Sequence, residues 1–139
     1  MKAVIHSDGG SRGNPGPAAI GVVVKIDGKK IEIGETIGIA TNNVAEYVAI
    51  VRGLKESYGH GATEAECFAD SELIVRQLRG EYRIKDEKMK QLAQEAFTLR
   101  AKFKSVTFTE IPREKNKEAD KLVNNALDAV KNAQKTATK

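Results

Sequence analysis

The sequence predicts an α/β fold in which a five-stranded mixed sheet is flanked by helices, with elements in the order βββαβααβα. Three early apolar segments are separated by short connections, which is typical of antiparallel neighbours. Later segments alternate between helical spacing and short apolar runs, as strands joined in parallel by helical crossovers do. A length of 139 residues corresponds to one domain with a core of its own.

The first three strands are expected in the N-terminal third of the chain. Residues 2–7 and 20–26 are rich in aliphatic and β-branched side chains. Asp27 and Gly28 then form a hairpin signal, and alternating isoleucines indicate a third strand over 31–39. Because the connections are short, strands 1–3 are predicted to be antiparallel and strands 4 and 5 to join them in parallel.

The remaining elements are predicted from changes in the hydrophobic period. Helical spacing begins at Val44 and ends at a glycine-rich break near Gly59. The elements expected after this helix are a strand over 66–69, a helix over 72–78, a helix over 89–103, a strand over 106–111 and a helix over 119–130.

Bulk composition limits the classes of function. The net charge of +4 favours a polyanionic partner, and residues 76–104 carry nine basic against four acidic residues. This segment is either a solvated helix face or a surface that contacts phosphates. A single cysteine, Cys67, excludes an internal disulfide and fits a reducing compartment. Without a secretory leader or an apolar run of membrane length, we expect a cytoplasmic protein that makes no membrane contact.

Four acidic residues in four different contexts form the strongest functional signal. They are Asp8 in H-S-D-G-G-S-R-G-N-P-G, Glu46 in T-N-N-V-A-E-Y, Asp70 in C-F-A-D-S-E-L and Asp120 in N-K-E-A-D-K-L. Four carboxylates brought together cannot all stay ionised without cations between them. Carboxylate oxygens suit Mg²⁺ and Mn²⁺, and a pair of such ions is a usual device for displacement at a phosphodiester.

Each carboxylate also has a purely structural interpretation. Asp8 could hydrogen-bond the backbone of its own turn, and Glu46 could complete a capping box that Asn43 begins. Asp70 could open the helix that follows it, and Asp120 could be one of several acids that favour a helix N-terminus. Position alone does not choose between these interpretations and metal binding, because first-turn geometry would also hold a carboxylate rigidly for a metal.

The four motifs, in this order and spacing, resemble those of type 1 ribonuclease H from about Ala3 to Leu127. The resemblance implies a ribonuclease H-like fold with a catalytic domain over 1–130. It implies a metal-dependent endonuclease that hydrolyses the RNA strand of RNA/DNA hybrids by a two-metal mechanism, leaving 5′-phosphate and 3′-hydroxyl ends. Two Mg²⁺ ions, or Mn²⁺ in their place, would be the cofactors. The catalytic residues and metal ligands would be Asp8, Glu46, Asp70 and Asp120.

The resemblance also implies that polar residues around these motifs contact the hybrid. Amides can contact sugar hydroxyls and base edges, and the 2′-hydroxyl distinguishes RNA from DNA. Turn formation and helix capping remain open for each such residue taken singly. The substrate-binding residues implied are Gly9, Gly10, Ser11, Asn14, Thr41, Asn42, Asn43, Ser71 and Arg113. The partner would be the hybrid alone, with no small-molecule cofactor, and the protein a monomer. A hybrid-binding module without catalysis on the same fold is the alternative.

Two features of the best-known family pattern are missing. Many members carry a histidine before the last aspartate, but residues 109–114 contain none; Glu110 or Glu114, with Arg113, could replace it. The second feature is a Lys- and Trp-rich protrusion, for which residues 78–89 are too short.

Without that insertion, the chain resembles a compact form of the family. Hybrid binding is then expected to depend on the basic residues of 76–104 and on a flexible basic tail over 131–139.

Overall fold

The computed structural model describes residues 1–137, with side chains through residue 132. The chain forms a five-stranded sheet in the order β3-β2-β1-β4-β5. Its strands are β1 (Lys2–Ser11), β2 (Gly16–Ile26), β3 (Lys29–Ala40), β4 (Glu64–Ala69) and β5 (Ser105–Glu110). The helices are α1 (Asn42–Gly59), α2 (Glu72–Leu78), α3 (Glu87–Arg100) and α4 (Lys117–Ala137), with a 3₁₀ turn at Arg113–Lys115 before α4.

Strand pairing confirms the predicted fold class and element order. β1 and β3 both pair antiparallel with β2, while β4 pairs in parallel with β1 and with β5. The first two strands are longer than predicted, since β1 continues to Ser11 and β2 begins at Gly16. Gly10 pairs with Ala19 in this extension. Glycine and alanine carry no clear apolar alternation, which is why the sequence pattern did not reveal these strand ends.

Helices α1 and α4 pack on opposite faces of the sheet, and two neighbouring residues of β2 show this directly. Val22 lies against Gly53 of α1, whereas a Cβ at Gly21 would lie 2.0 Å from the carbonyl oxygen of Ala119 in α4. Successive residues of a strand point to opposite faces. The glycine therefore allows the N-terminal part of α4 to approach the sheet closely, which brings Asp120 near the ends of the central strands.

The main core lies between the sheet and helices α1 to α3, with large contributions from Ile5, Tyr47 and Leu54. A smaller cluster of Ala19, Val123 and Leu127 lies beneath α4. Among residues 1–137, no helix is long and apolar enough to cross a membrane. The predicted tail over 131–139 begins within α4, which continues to Ala137; the side chains of Lys135 and Lys139 fall outside those described.

Candidate active site

Asp8 and Asp70 reach the same edge of the sheet because their strands are parallel neighbours. His6 pairs with Phe68, which places the residues two positions further along each strand side by side. Ligands of open α/β sheets bind outside the carboxyl ends of such strands. Helix α1 adds Glu46 and α4 adds Asp120, so four separate elements meet at this edge.

The acidic side chains meet in an open cavity of about 400 Å³. Carboxylate oxygens of Asp8, Glu46 and Asp70 all lie within 4.8 Å of one another, and the first two residues are buried, with 6% and 8% of their surface exposed. Asp120 lines the same cavity and interacts with Asp8 but lies outside this closest set of three. The structure therefore brings together all four carboxylates that the sequence singled out.

The structural interpretation of Glu46 as part of a capping box is wrong. Helix α1 is capped by Thr41, whose Oγ1 accepts a hydrogen bond of 3.2 Å from the backbone N–H of Val44. Glu46 therefore lies beyond the first turn, where its carboxylate serves no orphan backbone donor at the helix end. Its burial against the sheet edge needs another explanation.

The corresponding interpretations of Asp8 and Asp70 are also wrong. Asp8 is not in a turn, since it lies within β1 and pairs with Gly21. Helix α2 is capped by Ser71, which accepts from the N–H of Ile74 at 3.3 Å. Asp70 consequently precedes the cap. Asp120 does lie in the first turn of α4, where a favourable interaction with the helix dipole and a place in the cavity are compatible.

Electrostatic strain in this cluster is visible in the pKa values. Burial, and next the charge of Asp70, raises the pKa of Asp8 to about 7. Burial, and next the charge of Asp8, holds the pKa of Glu46 well above its ordinary value. Both shifts arise because buried like charges cannot ionise together at low cost.

The donor set fits a hard divalent cation. Oε2 of Glu46 is buried and has no hydrogen-bond partner among the described residues. Three further facts agree with a metal site: every converging donor is a carboxylate oxygen, the three nearest oxygens lie within the reach of one ion, and neutralisation would relieve their repulsion.

Asn116 is a site residue to which the sequence analysis assigned no role. It is only 1% exposed, and its Nδ2 donates to the carbonyl oxygen of Ser7 at 2.9 Å and to Oδ2 of Asp70 at 3.2 Å. The side chain thus connects β1, the Asp70 carboxylate and the start of α4. The signal was present in the N-x-x-A-D spacing, because that motif fixes the distance between Asn116 and Asp120.

The loop after β1 is connected to the start of α1 by two reciprocal hydrogen bonds. Oδ1 of Asn42 accepts from the N–H of Ser11 at 2.8 Å, and Oδ1 of Asn14 accepts from the N–H of Asn42 at 3.0 Å. Both side-chain oxygens are therefore engaged within the protein. Their Nδ2 groups remain as the donors that could meet a substrate.

The implied substrate-binding residues fall into two groups. Asn14 and Thr41 do not line the carboxylate cavity, and their side-chain oxygens bond to backbone groups. The others line the cavity: Gly9, Gly10, Ser11, Asn42, Asn43, Ser71 and Arg113.

The absence of a side chain at Gly9 allows helix α1 to pack closely against strand β1. A Cβ at Gly9 would lie 2.2 Å from the backbone carbonyl carbon of Ala45, so the missing side chain lets α1 approach β1. This helix–strand approach positions Glu46 beside Asp8, while Gly9 also lines the cavity.

One face of α4 lines the cavity beyond Asp120. Val123, Asn124 and Leu127 follow Asp120 at helical spacing and were not predicted as site residues. The i, i+3, i+4, i+7 pattern from Asp120 could have identified them. Arg12 lines the cavity as well, and a lone arginine in a glycine-rich loop gave no specific signal.

The proposed replacements for the missing histidine lie in different places. Arg113 lines the carboxylate cavity, whereas Glu114 lines a separate cavity together with His6 and Lys25. The His6 ring stacks on Phe68, with ring centroids 5.1 Å apart, as expected of a packed strand residue. Of Glu110, Glu114 and Arg113, only Arg113 lines the carboxylate cavity, where it can reach a ligand.

The basic segment over 76–104 is exposed, and part of its charge is neutralised by neighbours. Arg76 pairs with Glu72 and Glu81, and Arg79 also pairs with Glu81. Six exposed cations of the segment make no ion pair among the described residues. Two of them lie over aromatic rings instead, Arg100 over Phe97 and Lys102 over Tyr58. The part of the segment that remains available to an anionic partner consists of Arg83, Lys85, Lys88 and Lys104.

Comparisons with known proteins agree with this geometry. A family model described as "Reverse transcriptase-like" matches residues 6–126. Ribonuclease HI of Halobacterium salinarum is 43% identical over 125 residues, covering 88% of this chain and 63% of that protein. A bifunctional protein of Mycobacterium tuberculosis is also 43% identical, over 93% of this chain, which spans only 36% of that relative's length.

Solved structures show the same similarity over nearly all of the chain. The crystal structure of RNase H1 from Halobacterium salinarum superposes with a TM-score of 0.88 at 40% identity, covering 93% of this chain and 99% of that one. LC11-RNase H1 in complex with an RNA/DNA hybrid gives a TM-score of 0.86 at 42% identity, covering 92% of this chain and 98% of that one.

Proposed function

This chain belongs to the type 1 ribonuclease H family, and from that premise we propose that it is a metal-dependent endonuclease that hydrolyses the RNA strand of RNA/DNA hybrids. The observation that carries the proposal is the convergence of three carboxylates within 4.8 Å, one of them with a buried oxygen that lacks a hydrogen-bond partner in the described part of the chain. A solved relative bound to an RNA/DNA hybrid supports the choice of substrate.

Asp8, Glu46 and Asp70 would hold one divalent cation, and Asp120 with Asp8 would hold a second. Mg²⁺ is the ion we propose, with Mn²⁺ as a substitute, since both prefer carboxylate oxygens. When bound, such a pair supplies charge stabilisation for the attacking and leaving oxygens of an in-line displacement. The expected products carry 5′-phosphate and 3′-hydroxyl ends.

The protein's own contribution is to fix these groups before substrate arrives. Strand pairing holds Asp8, and the amide of Asn116 holds Asp70. Glu46 is positioned by helix α1, which can approach β1 closely because residue 9 is glycine. Preorganised charges of this kind need no rearrangement at the moment of reaction. The open cavity leaves room for a strand of nucleic acid to approach the cluster from solvent.

Recognition of RNA would depend on donors beside the cluster. Because Oδ1 of Asn42 and of Asn14 are engaged in the protein, their Nδ2 groups are oriented to donate, which suits the 2′-hydroxyl as acceptor. Ser71 accepts from the helix with its Oγ and retains its O–H to donate to a phosphate. Arg113 adds a cation at the cavity wall.

Cleavage of end-labelled RNA in a hybrid, with and without Mg²⁺, tests the proposal. We expect cleavage only with a divalent cation, little or none in matched DNA/DNA and RNA/RNA duplexes, and 5′-phosphate ends on the fragments. A duplex with a single ribonucleotide within DNA should be a poor substrate, since it offers one 2′-hydroxyl to several donors. Equal cutting of the hybrid and the DNA duplex would contradict the substrate assignment, and tight hybrid binding without cleavage would identify a binding module instead.

A further inference from the structure

Arg12 is a cation at the carboxylate cavity for which the proposed reaction names no role. It lines the cavity together with Asp8, Glu46 and Asp70, and its side chain is 39% exposed. Among the described residues that line this cavity, Arg12 and Arg113 are the only cations. They come from the loop after β1 and from the 3₁₀ turn before α4, so they reach the site from different elements.

The backbone at Arg12 is fixed while its side chain is not enclosed. The N–H of Arg12 donates to the carbonyl oxygen of Pro17 at 2.8 Å, and a Cβ at Gly16 would lie 2.4 Å from the carbonyl oxygen of Arg12. The preceding residue, Ser11, is bonded to Asn42 as described above. Any movement of the guanidinium therefore comes from rotation of the side chain rather than from the loop.

The guanidinium is held by one acidic residue of α4. Nη2 of Arg12 lies 2.6 Å from Oδ1 of Asp128, whose side chain is 56% exposed. Asp128 follows Asp120 by eight residues, so both lie on the same side of the helix, two turns apart. Exposed ion pairs of this kind contribute little net free energy, and a competing anion can displace the carboxylate.

We infer that Arg12 binds a backbone phosphate of the nucleic acid and that Asp128 is its counter-ion in the free protein, displaced when the substrate enters. A guanidinium pairs with phosphate through two parallel hydrogen bonds and keeps its charge at any working pH. A strand entering a cavity with four carboxylates meets strong repulsion unless cations lie at the rim. The identity of the substrate rests on the proposed function, whereas the exchange of anions on Arg12 does not require cleavage.

Binding of a fluorescent RNA/DNA hybrid, measured by anisotropy in EDTA at several salt concentrations, tests the inference apart from catalysis. Arg12→Ala is expected to weaken binding five- to tenfold and to reduce the slope of log K against log salt by about one. Asp128→Asn is expected to strengthen binding two- to threefold, and to have no effect once Arg12 is alanine. With Mg²⁺ present, both changes should appear in KM, with kcat altered less than twofold.

The matched controls are Arg52→Ala and Glu35→Gln, which break an exposed pair of 2.7 Å between α1 and β3 that does not line the cavity. If Arg12→Ala weakened binding no more than Arg52→Ala, the phosphate contact would be refuted. If Asp128→Asn weakened binding as Arg12→Ala does, the pair would position Arg12 rather than compete for it, and the exchange would be wrong.

The two proposals fail in different ways. If the protein cleaves hybrids and Arg12→Ala does not weaken binding, the proposed function stands and the exchange of anions on Arg12 is refuted. If the variants change binding as expected but the protein does not cleave hybrids, the exchange of anions stands and the proposed activity is refuted.

Discussion

The carboxylate cavity and the basic segment over 76–104 differ in sign of charge and also in how their charges are held. In the cavity, four acids, of which Asp8 and Glu46 are buried, are held by strand pairing, a helix approach that needs glycine, and a fully buried amide. In the segment, exposed cations extend into solvent, and three of them pair with glutamates nearby. In the cavity, the fold holds like charges close together, so their mutual repulsion persists. In the segment, solvent screens the exposed charges from one another.

This difference separates two functions in the proposed enzyme. Fixed charges suit the stabilisation of a transition state, because their geometry does not change during the reaction. Mobile surface charges suit attraction of a polyanion, which depends on number and proximity rather than on exact orientation. Changes to the carboxylates of the cavity should therefore act on kcat and on metal affinity, and changes in the segment should act on KM.

The largest effect is expected from Asp8→Asn or Asp70→Asn. An amide keeps the shape but loses the charge that would hold a cation, so cleavage of the hybrid should fall by at least a thousandfold in single-turnover assays. Glu118→Gln is the matched control and should retain full activity, because this exposed acid pairs with Lys30 and lines the separate cavity that contains His6. A rate above one tenth of wild type, a loss under ~1.4 kcal/mol of transition-state stabilisation, would refute the assignment of that carboxylate.

Asn116→Ala should produce the next largest effect. Removing an amide that orients a metal-binding carboxylate typically costs about 10- to 100-fold in metal affinity or activity, and Asp70 loses such a bond here. Titration calorimetry with Mn²⁺ measures the affinity separately from the rate. Asn124→Ala is the control, because its Nδ2 bonds to the backbone carbonyl of Asp120 instead of a carboxylate. Unchanged Mn²⁺ affinity in Asn116→Ala would contradict the positioning role.

The carboxylate cavity should make the stability of the metal-free protein depend on pH. The fold raises the pKa of Asp8 from 3.8 to about 7, so between these values the native state binds a proton that the unfolded chain has released. The resulting stabilisation is complete below about pH 4 and is lost as pH rises through 7. Relative to Asp8→Asn, the wild type should lose on the order of 2–3 kcal/mol of unfolding free energy between pH 5 and 8.

Denaturant melts in EDTA at several pH values measure this loss. Added Mg²⁺ should restore stability to the wild type at pH 8 and have little effect on Asp8→Asn. A difference between the two proteins that stays constant from pH 5 to 8 would mean that Asp8 is not the group that titrates.

The fold could be predicted because apolar period and connection length determine which strands can pair. The acids were found because each stands in a distinctive local sequence. Two roles were missed for different reasons. Glu46 reads as a capping residue because Asn43 is as acceptable an N-cap as Thr41, which caps the helix in the structure. Asn116 gains its role only when β4 comes beside it, and that contact depends on tertiary geometry, which single-sequence spacing does not contain.

The smallest effect is expected on the basic surface. Changing Arg83, Lys85 and Lys88 to glutamine removes three exposed charges that lack ion-pair partners among the described residues, and it should raise KM for the hybrid roughly threefold to tenfold at low salt. kcat should change less than twofold, because these charges would bind the ground and transition states alike. Raising the salt concentration should reduce the difference from wild type, since the lost contacts are electrostatic.

The matched triple variant is Lys55, Arg76 and Arg79 to glutamine, which removes the same charge from cations that are already paired with glutamates. It should raise KM less, because neighbouring carboxylates already screen these cations from a polyanion. Equal increases from the two triple variants would mean that only the total charge matters and that local pairing has no influence on binding. An unchanged KM in the first variant would exclude residues 83–88 as a binding surface and leave Arg12 and Arg113 as the main phosphate contacts. The segment would then be a solvated helix face.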